Sequence, residues 1–190
     1  MKKDLGAPLT RGAQRTLGAF HKAMLTLLTE QPLGSVSINA LCERAGYPRA
    51  TFYNYFDDRD DLLDYCWLTL TKQANLDDLA ATPSERRVDV ALDAMADMLE
   101  RNAATLQAIM RHNPPEGPLF GSLHRYVESQ AHQIMRSCID RDRFGLPADL
   151  VADHYANTML LVLDWSYVRG HALTRGRLHE IVHALLGGVE

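Results

Sequence analysis

Seven Lys and Arg residues fall within the first 56 positions (Lys2, Lys3, Arg11, Arg15, Lys22, Arg44 and Arg49) against three acids (Asp4, Glu30 and Glu43), a formal charge of +4. The whole chain of 190 residues carries −4, so the remainder carries −8. Cationic side chains at this density suit phosphate, while an acidic remainder stays soluble and is repelled by it. The other reactive groups are imidazoles and thiols, and their chemistry would be metal ligation. His112, His124, His132, His154 and Cys138 lie in the later part, and no histidine pair is expected at i, i+4 spacing within one helix. Cys42, Cys66 and Cys138 make no CxxC pair, so buried free thiols are expected and no resident metal or other cofactor. No nucleotide loop, nucleophile elbow or HExxH motif is present, and an enzyme is not expected.

The elements that position the basic residues are helices. Between Ser37 and Leu63, Ile38, Leu41 and Ala45 follow helical spacing, and Gly46 stops the run where a positive φ costs nothing. Ser37 is placed to cap that helix. A second helix can start with Pro48 in its first turn, Phe52 and Phe56 giving it an i, i+4 apolar stripe. Helix, tight turn, helix is a unit whose second helix fits a DNA major groove. Ahead of it, Leu17, Phe20, Met24, Leu27 and Leu28 predict an amphipathic helix from Thr10 to Glu30, stopped by Pro32 and Gly34. Behind it, Asp57 or Asp58 caps a helix through Leu62, Leu63, Cys66, Trp67 and Leu70 to about Asn75.

A hydrophobic content of 46% is enough for a proper core, and no apolar run reaches the roughly 20 residues of a membrane span. With no apolar signal segment at the start, a cytoplasmic protein is expected. Residues 1 to 9 read as a flexible arm whose Lys2 and Lys3 could add phosphate contacts. A boundary falls near Ala80 to Ser84. Beyond it the spacing predicts only helices: Ser84 to Asn102, Ala103 to His112, Pro118 to about Asp140, Ala148 to Gly170 and Thr174 to Leu186, with Gly145 and Pro147 breaking the chain between the third and fourth. The fold class is all-α.

The run AGYPRATFYNYF from Ala45 to Phe56, followed by RDDLL, resembles the DNA-binding domain of the TetR/AcrR family of bacterial transcriptional regulators, over about Thr10 to Leu70. The resemblance implies a helix-turn-helix domain over residues 10 to 70 (motif 37 to 56) and a helical regulatory and dimerisation domain over 71 to 190. It puts Arg49 and Thr51 on the exposed face of the recognition helix, with Pro48 and Ala50 at its N-terminal end, all facing bases. Asn39 takes a further base-contacting position and Ser37 lies close to the DNA backbone. Tyr53 and Asn54 match phosphate-contacting positions, and Arg59 stands where the family commonly has a lysine with the same role. For Arg49 the expected contact is bidentate, to guanine N7 and O6. Tyr47 and Pro48 depart from the family pattern, which has a small apolar residue and a capping residue there.

One such head reads too few base pairs alone, so a homodimer on a palindromic double-stranded operator is expected. Ala148 to Gly170 is too apolar around its circumference for a monomer's surface. With the last helix it predicts a four-helix interface through Leu161, Asp164, Trp165, Val168, Ile181 and Leu185, Asp164 being partnered by Arg169 or by a group across the interface. Members of the family commonly bind a small molecule in the body. Met95, Met98, Met110, Phe120, His124, Val127 and Met159 are the candidate lining here, His124 on the apolar face of its helix one turn after Phe120. The expected function is a ligand-responsive repressor. Two alternatives stay open: a DNA-binding regulator whose body docks a partner protein, and a zinc-responsive regulator.

Overall fold

The computed structural model describes residues 9–76, 79–138 and 146–187. The arm with Lys2 and Lys3, the break at Gly145 and the side chain of Cys138 lie outside the described residues. Nine α-helices and no strand are found among those described: α1 Arg11–Glu30, α2 Ile38–Ala45, α3 Arg49–Tyr53, α4 Arg59–Thr71, α5 Arg87–Arg101, α6 Ala103–Met110, α7 Pro118–Cys138, α8 Ala148–Leu163 and α9 Arg175–Leu186. None of them is long and apolar enough to cross a membrane. The chain forms two compact units, one running to Thr69 and including Ala104–Phe120, the other Leu70–Ala103 with the chain from Gly121 onward.

In the first unit the hydroxyl of Thr10 accepts the Ala13 N–H at 3.2 Å and starts α1, which buries Leu17, Phe20, Met24, Leu27 and Leu28. Ser37 caps α2 in the same way through the Ala40 N–H. Gly46, at φ 72°, ends α2 in a Schellman arrangement, with the Tyr47 N–H donating to the Cys42 carbonyl and the Gly46 N–H to Glu43. An aromatic cluster fixes the heads of these helices. Phe20 meets Phe52 edge-on at 5.4 Å, Phe56 lies 5.4 Å from Phe52, and Tyr47 packs 5.7 Å from Phe20. Tyr47 therefore departs from the family pattern by extending the cluster into the turn. Asp58 starts α4 by accepting from the Asp61 N–H at 2.9 Å.

Two sequence expectations need correction here. Pro48 is the residue before α3 rather than a member of its first turn, with an extended ψ of 156°. Phe56 lies beyond the helix, which ends at Tyr53, although its N–H still bonds the Phe52 carbonyl. Phe52, Tyr55 and Phe56 are all buried, at the i, i+3, i+4 spacing that a continuous helix face would also give, so the apolar pattern alone does not mark where α3 ends.

Asn113 ties Ala104–Phe120 to the start of the head. It is 4% exposed; its carbonyl accepts the Leu33 N–H at 2.8 Å and its amide donates to the carbonyls of Leu28 at 3.0 Å and Ile109 at 3.2 Å. Pro32 and Gly34 break the chain after α1 and leave backbone groups without helical partners, which this one amide satisfies.

The core of the second unit joins Ala91, Leu92, Met95 and Ala96 of α5, Ala152, Met159, Val162 and Leu163 of α8, and Leu178, Val182 and Leu186 of α9. The helix expected to run on to Gly170 stops at Leu163 and continues as a π turn over Asp164–Val168. Within it the Arg169 N–H reaches the Asp164 carbonyl at 2.9 Å, five residues back, and Gly170 at φ 79° turns the chain away.

Candidate nucleic-acid interface

Helix α3 is short and solvated along one side. Pro48, Arg49, Ala50, Tyr53 and Asn54 are exposed, Thr51 is half-buried, and Phe52 anchors the helix from beneath. The Arg49 guanidinium is held on that surface from two directions. One arm donates to the Asn39 side-chain carbonyl on α2, the other to the Tyr53 hydroxyl at 3.0 Å, and the cation stands 5.7 Å from the Tyr53 ring centre. An arginine tethered in this way has already lost much of the rotamer freedom that a base contact would cost it.

The other predicted residues sit as follows. Ser37 is exposed, but its hydroxyl serves as the cap of α2. Arg59 points back into its own unit, donating to the carbonyls of Leu33 at 2.8 Å and Val36 at 3.3 Å. Arg44 forms a two-point pair with Glu30 at 2.7 Å, and this hydrogen bond and charge hold the Glu30 carboxyl below its usual range. Arg11, Arg15 and Lys22 on α1 are exposed. Cys42 and Cys66 are buried free thiols, and burial pushes both pKa values up, so neither is a nucleophile at neutral pH.

In the second unit Leu161, Trp165 and Leu185 are exposed, while Val168 and Ile181 are half-buried. Asp164 is paired with Arg169 at 2.6 Å, as the sequence suggests. Met95 and Met159 belong to the core, with Val127 packed on its edge. Met98 is buried, and Met110 and Phe120 fall in the first unit rather than the second. His124 is exposed, so its one-turn spacing from Phe120 does not bring it onto a buried face. His132 bonds Asp153. The expectation of no histidine pair at i, i+4 within one helix is wrong, because His179 and His183 form such a pair on α9.

A small aromatic-cored head, a glycine turn and a short helix presenting arginine, threonine, tyrosine and asparagine define a helix-turn-helix DNA-binding protein. Residues 22–66 match the family model for bacterial regulatory proteins of the tetR family. No curated protein matches the chain. The fold is shared with several solved structures. The dihydroxyacetone kinase operon activator DhaS is 18% identical, with 92% of this chain and 96% of that one covered and a TM-score of 0.57. A protein from Pseudomonas aeruginosa PAO1 described as a transcriptional regulator is 15% identical, with 94% and 91% covered and a TM-score of 0.60. A fatty acid metabolism regulator from Clostridium perfringens is 14% identical, with 90% and 98% covered and a TM-score of 0.51. Residues 22–66 thus carry the DNA-binding helix-turn-helix of the bacterial regulatory proteins of the tetR family, and the chain as a whole shares the fold of these solved structures.

Proposed function

We propose that the chain is a cytoplasmic, ligand-responsive repressor that binds a palindromic operator as a homodimer. In this reading residues 10–70 form the DNA-binding domain and 71–190 the regulatory and dimerisation domain. The observation that carries it is the pairing of a tethered Arg49 on an exposed α3 with an apolar surface on α8 and the turn after it. Leu161 and Trp165 are one turn apart there, 55% and 45% exposed, and Leu185 on α9 is 49% exposed. A second copy of the chain is the occupant that fits, because two α8–α9 pairs would complete a four-helix bundle and set two heads on successive turns of DNA. Arg49 and Thr51 would read bases, with Asn39 beside them. Tyr53 and Asn54 would meet phosphate. Arg59, turned to the carbonyls of Leu33 and Val36, would act by bracing the head. The effector would act by linkage, preferring the conformation that does not bind DNA, and a coupling of about 1–3 kcal/mol corresponds to roughly 5- to 150-fold weaker operator binding.

The test is footprinting of the purified full chain on genomic DNA, followed by expression of the adjacent genes in cells lacking it. The expected result is an inverted repeat with half-site centres about 10 base pairs apart, or a multiple of that, and raised expression on deletion. Sites without two-fold symmetry would overturn the dimeric reading. Lowered expression on deletion would make the protein an activator, which is what the printed name of DhaS says of that structural relative.

A further inference from the structure

Asp89 and Asp93 stand one turn apart on α5, and His179 and His183 one turn apart on α9. Spacing of i, i+4 puts each pair on one face of its helix, and the two faces meet. Asp89 Oδ1 lies 2.9 Å from His179 Nδ1 and 2.7 Å from His183 Nε2, while Asp93 Oδ1 lies 2.9 Å from His179 Nε2. One ligand atom each from Asp89, His179 and His183 falls within 4.8 Å of the others. We propose that this cluster binds a divalent first-row transition-metal ion such as zinc, with Asp89 Oδ1, His179 Nδ1 and His183 Nε2 as ligands. Asp93 is the outer carboxylate that orients His179.

The donor set selects the class of ion. Two imidazoles and one carboxylate suit zinc, cobalt or nickel, whereas calcium and magnesium call for oxygen. Bonds of about 2.0–2.2 Å to a tetrahedral ion set its ligand atoms roughly 3.3 Å apart. The two present contacts at Asp89 would therefore open by well under an ångström each. Asp93 supplies the second part of the argument. A metal-bound histidine usually gives its other N–H to a carboxylate, which fixes the tautomer, and His179 Nε2 already faces Asp93. Asp93 itself is held by Arg175 at 3.5 Å. His183 is exposed and Asp89 half-buried, which leaves an approach from solvent. Plain His–Asp hydrogen bonds would also hold the two helices together, since one carboxylate oxygen can accept from two histidines; a shared oxygen with a separate carboxylate behind one ring is in addition the arrangement that a metal site uses. Without metal both nitrogens of His179 face acceptors. Its burial disfavours the charge, yet the bonds to Asp93 and Asp89 together raise its pKa.

The proposal does not rest on the DNA-binding reading and is tested on the free protein. The experiment is zinc titration by calorimetry of the tag-free, chelator-stripped full chain. One ion per chain and a raised melting temperature in zinc are expected. His183→Gln and Asp89→Asn should each weaken binding at least about tenfold, and Asp93→Asn by about 10- to 100-fold. Nitrogen NMR of the histidine rings in the unmutated chain gives a readout independent of whether these variants fold. Zinc should shift two imidazoles, one through Nδ1 and the other through Nε2. Absence of binding, binding that His183→Gln and Asp89→Asn leave unchanged, or ring nitrogens of His179 and His183 that do not respond would each overturn the site.

Discussion

Arg49 and Asn113 illustrate two ways in which a single polar side chain can matter. Arg49 is exposed and joined to Asn39 and Tyr53, so its removal leaves no buried group unpaired. Arg49→Ala should therefore leave thermal stability and oligomeric state unchanged while weakening operator binding. A lost bidentate base contact is worth about 1–3 kcal/mol of discrimination, and fluorescence anisotropy on matched and mismatched duplexes measures it. Asn113 is the opposite case. Truncation to Ala strands the Leu33 N–H and the Leu28 carbonyl in the interior, while the Ile109 carbonyl keeps the backbone N–H groups of His112 and Asn113. A loss of about 1–3 kcal/mol is expected, read as a lower urea midpoint. The first residue was legible in the sequence because the turn glycine and the short helix announce it. The second was not: Asn113 stands before Pro114 and Pro115 as an ordinary helix end, and two of its partners lie 80 and 85 positions away.

Among the elements, amphipathic spacing fixed where each helix begins and ends to within a few residues. It failed where tertiary contacts intervened. The recognition helix looked longer because Phe52 and Phe56 have helical spacing, yet Phe56 is buried by the turn after α3. The π turn after α8 was hidden because its residues are as apolar as the helix they extend. A second pattern was legible and overlooked. Asp89, Asp93, Asp97 and Glu100 form an acidic stripe on α5, and Arg175, His179 and His183 a stripe of nitrogen donors facing it on α9. Arg175 bridges Asp97 at 2.7 Å and Glu100 at 2.8 Å, and the Tyr167 hydroxyl donates to Glu100 at 2.7 Å. Burial and the neighbouring Glu100 push the Tyr167 phenol up to about 12. Since the folded pKa is raised above its ordinary value of 10.0, the contribution of this contact is complete below pH 10 and is lost as pH rises toward 12. Ultraviolet titration should show one tyrosine ionising late, and Tyr167→Phe should remove that phase.

For the whole molecule, the division of charge and the exposed apolar face both support the proposed dimer. The first 56 residues carry +4 and the remainder −8, so the heads are drawn to phosphate while the bodies are not. One head supplies few phosphate contacts, and pairing two doubles both these contacts and the bases read. In the proposed dimer, operator affinity would depend on the surface around Leu161 and Trp165. Leu161→Glu adds a charge to a side chain 55% exposed in the single chain, so its folding cost there is small, within about 0.5 kcal/mol. In a dimer the same carboxylate would be buried opposite its symmetry mate, two like charges in a dry interface. The variant should therefore keep its helical content and melting behaviour in dilute solution. It should sediment as a monomer at micromolar concentration, lose most operator affinity, and give a shallower salt dependence of the binding that remains, since fewer phosphates are engaged. A Leu161→Glu protein that still sediments as a dimer would move the interface off this face of α8.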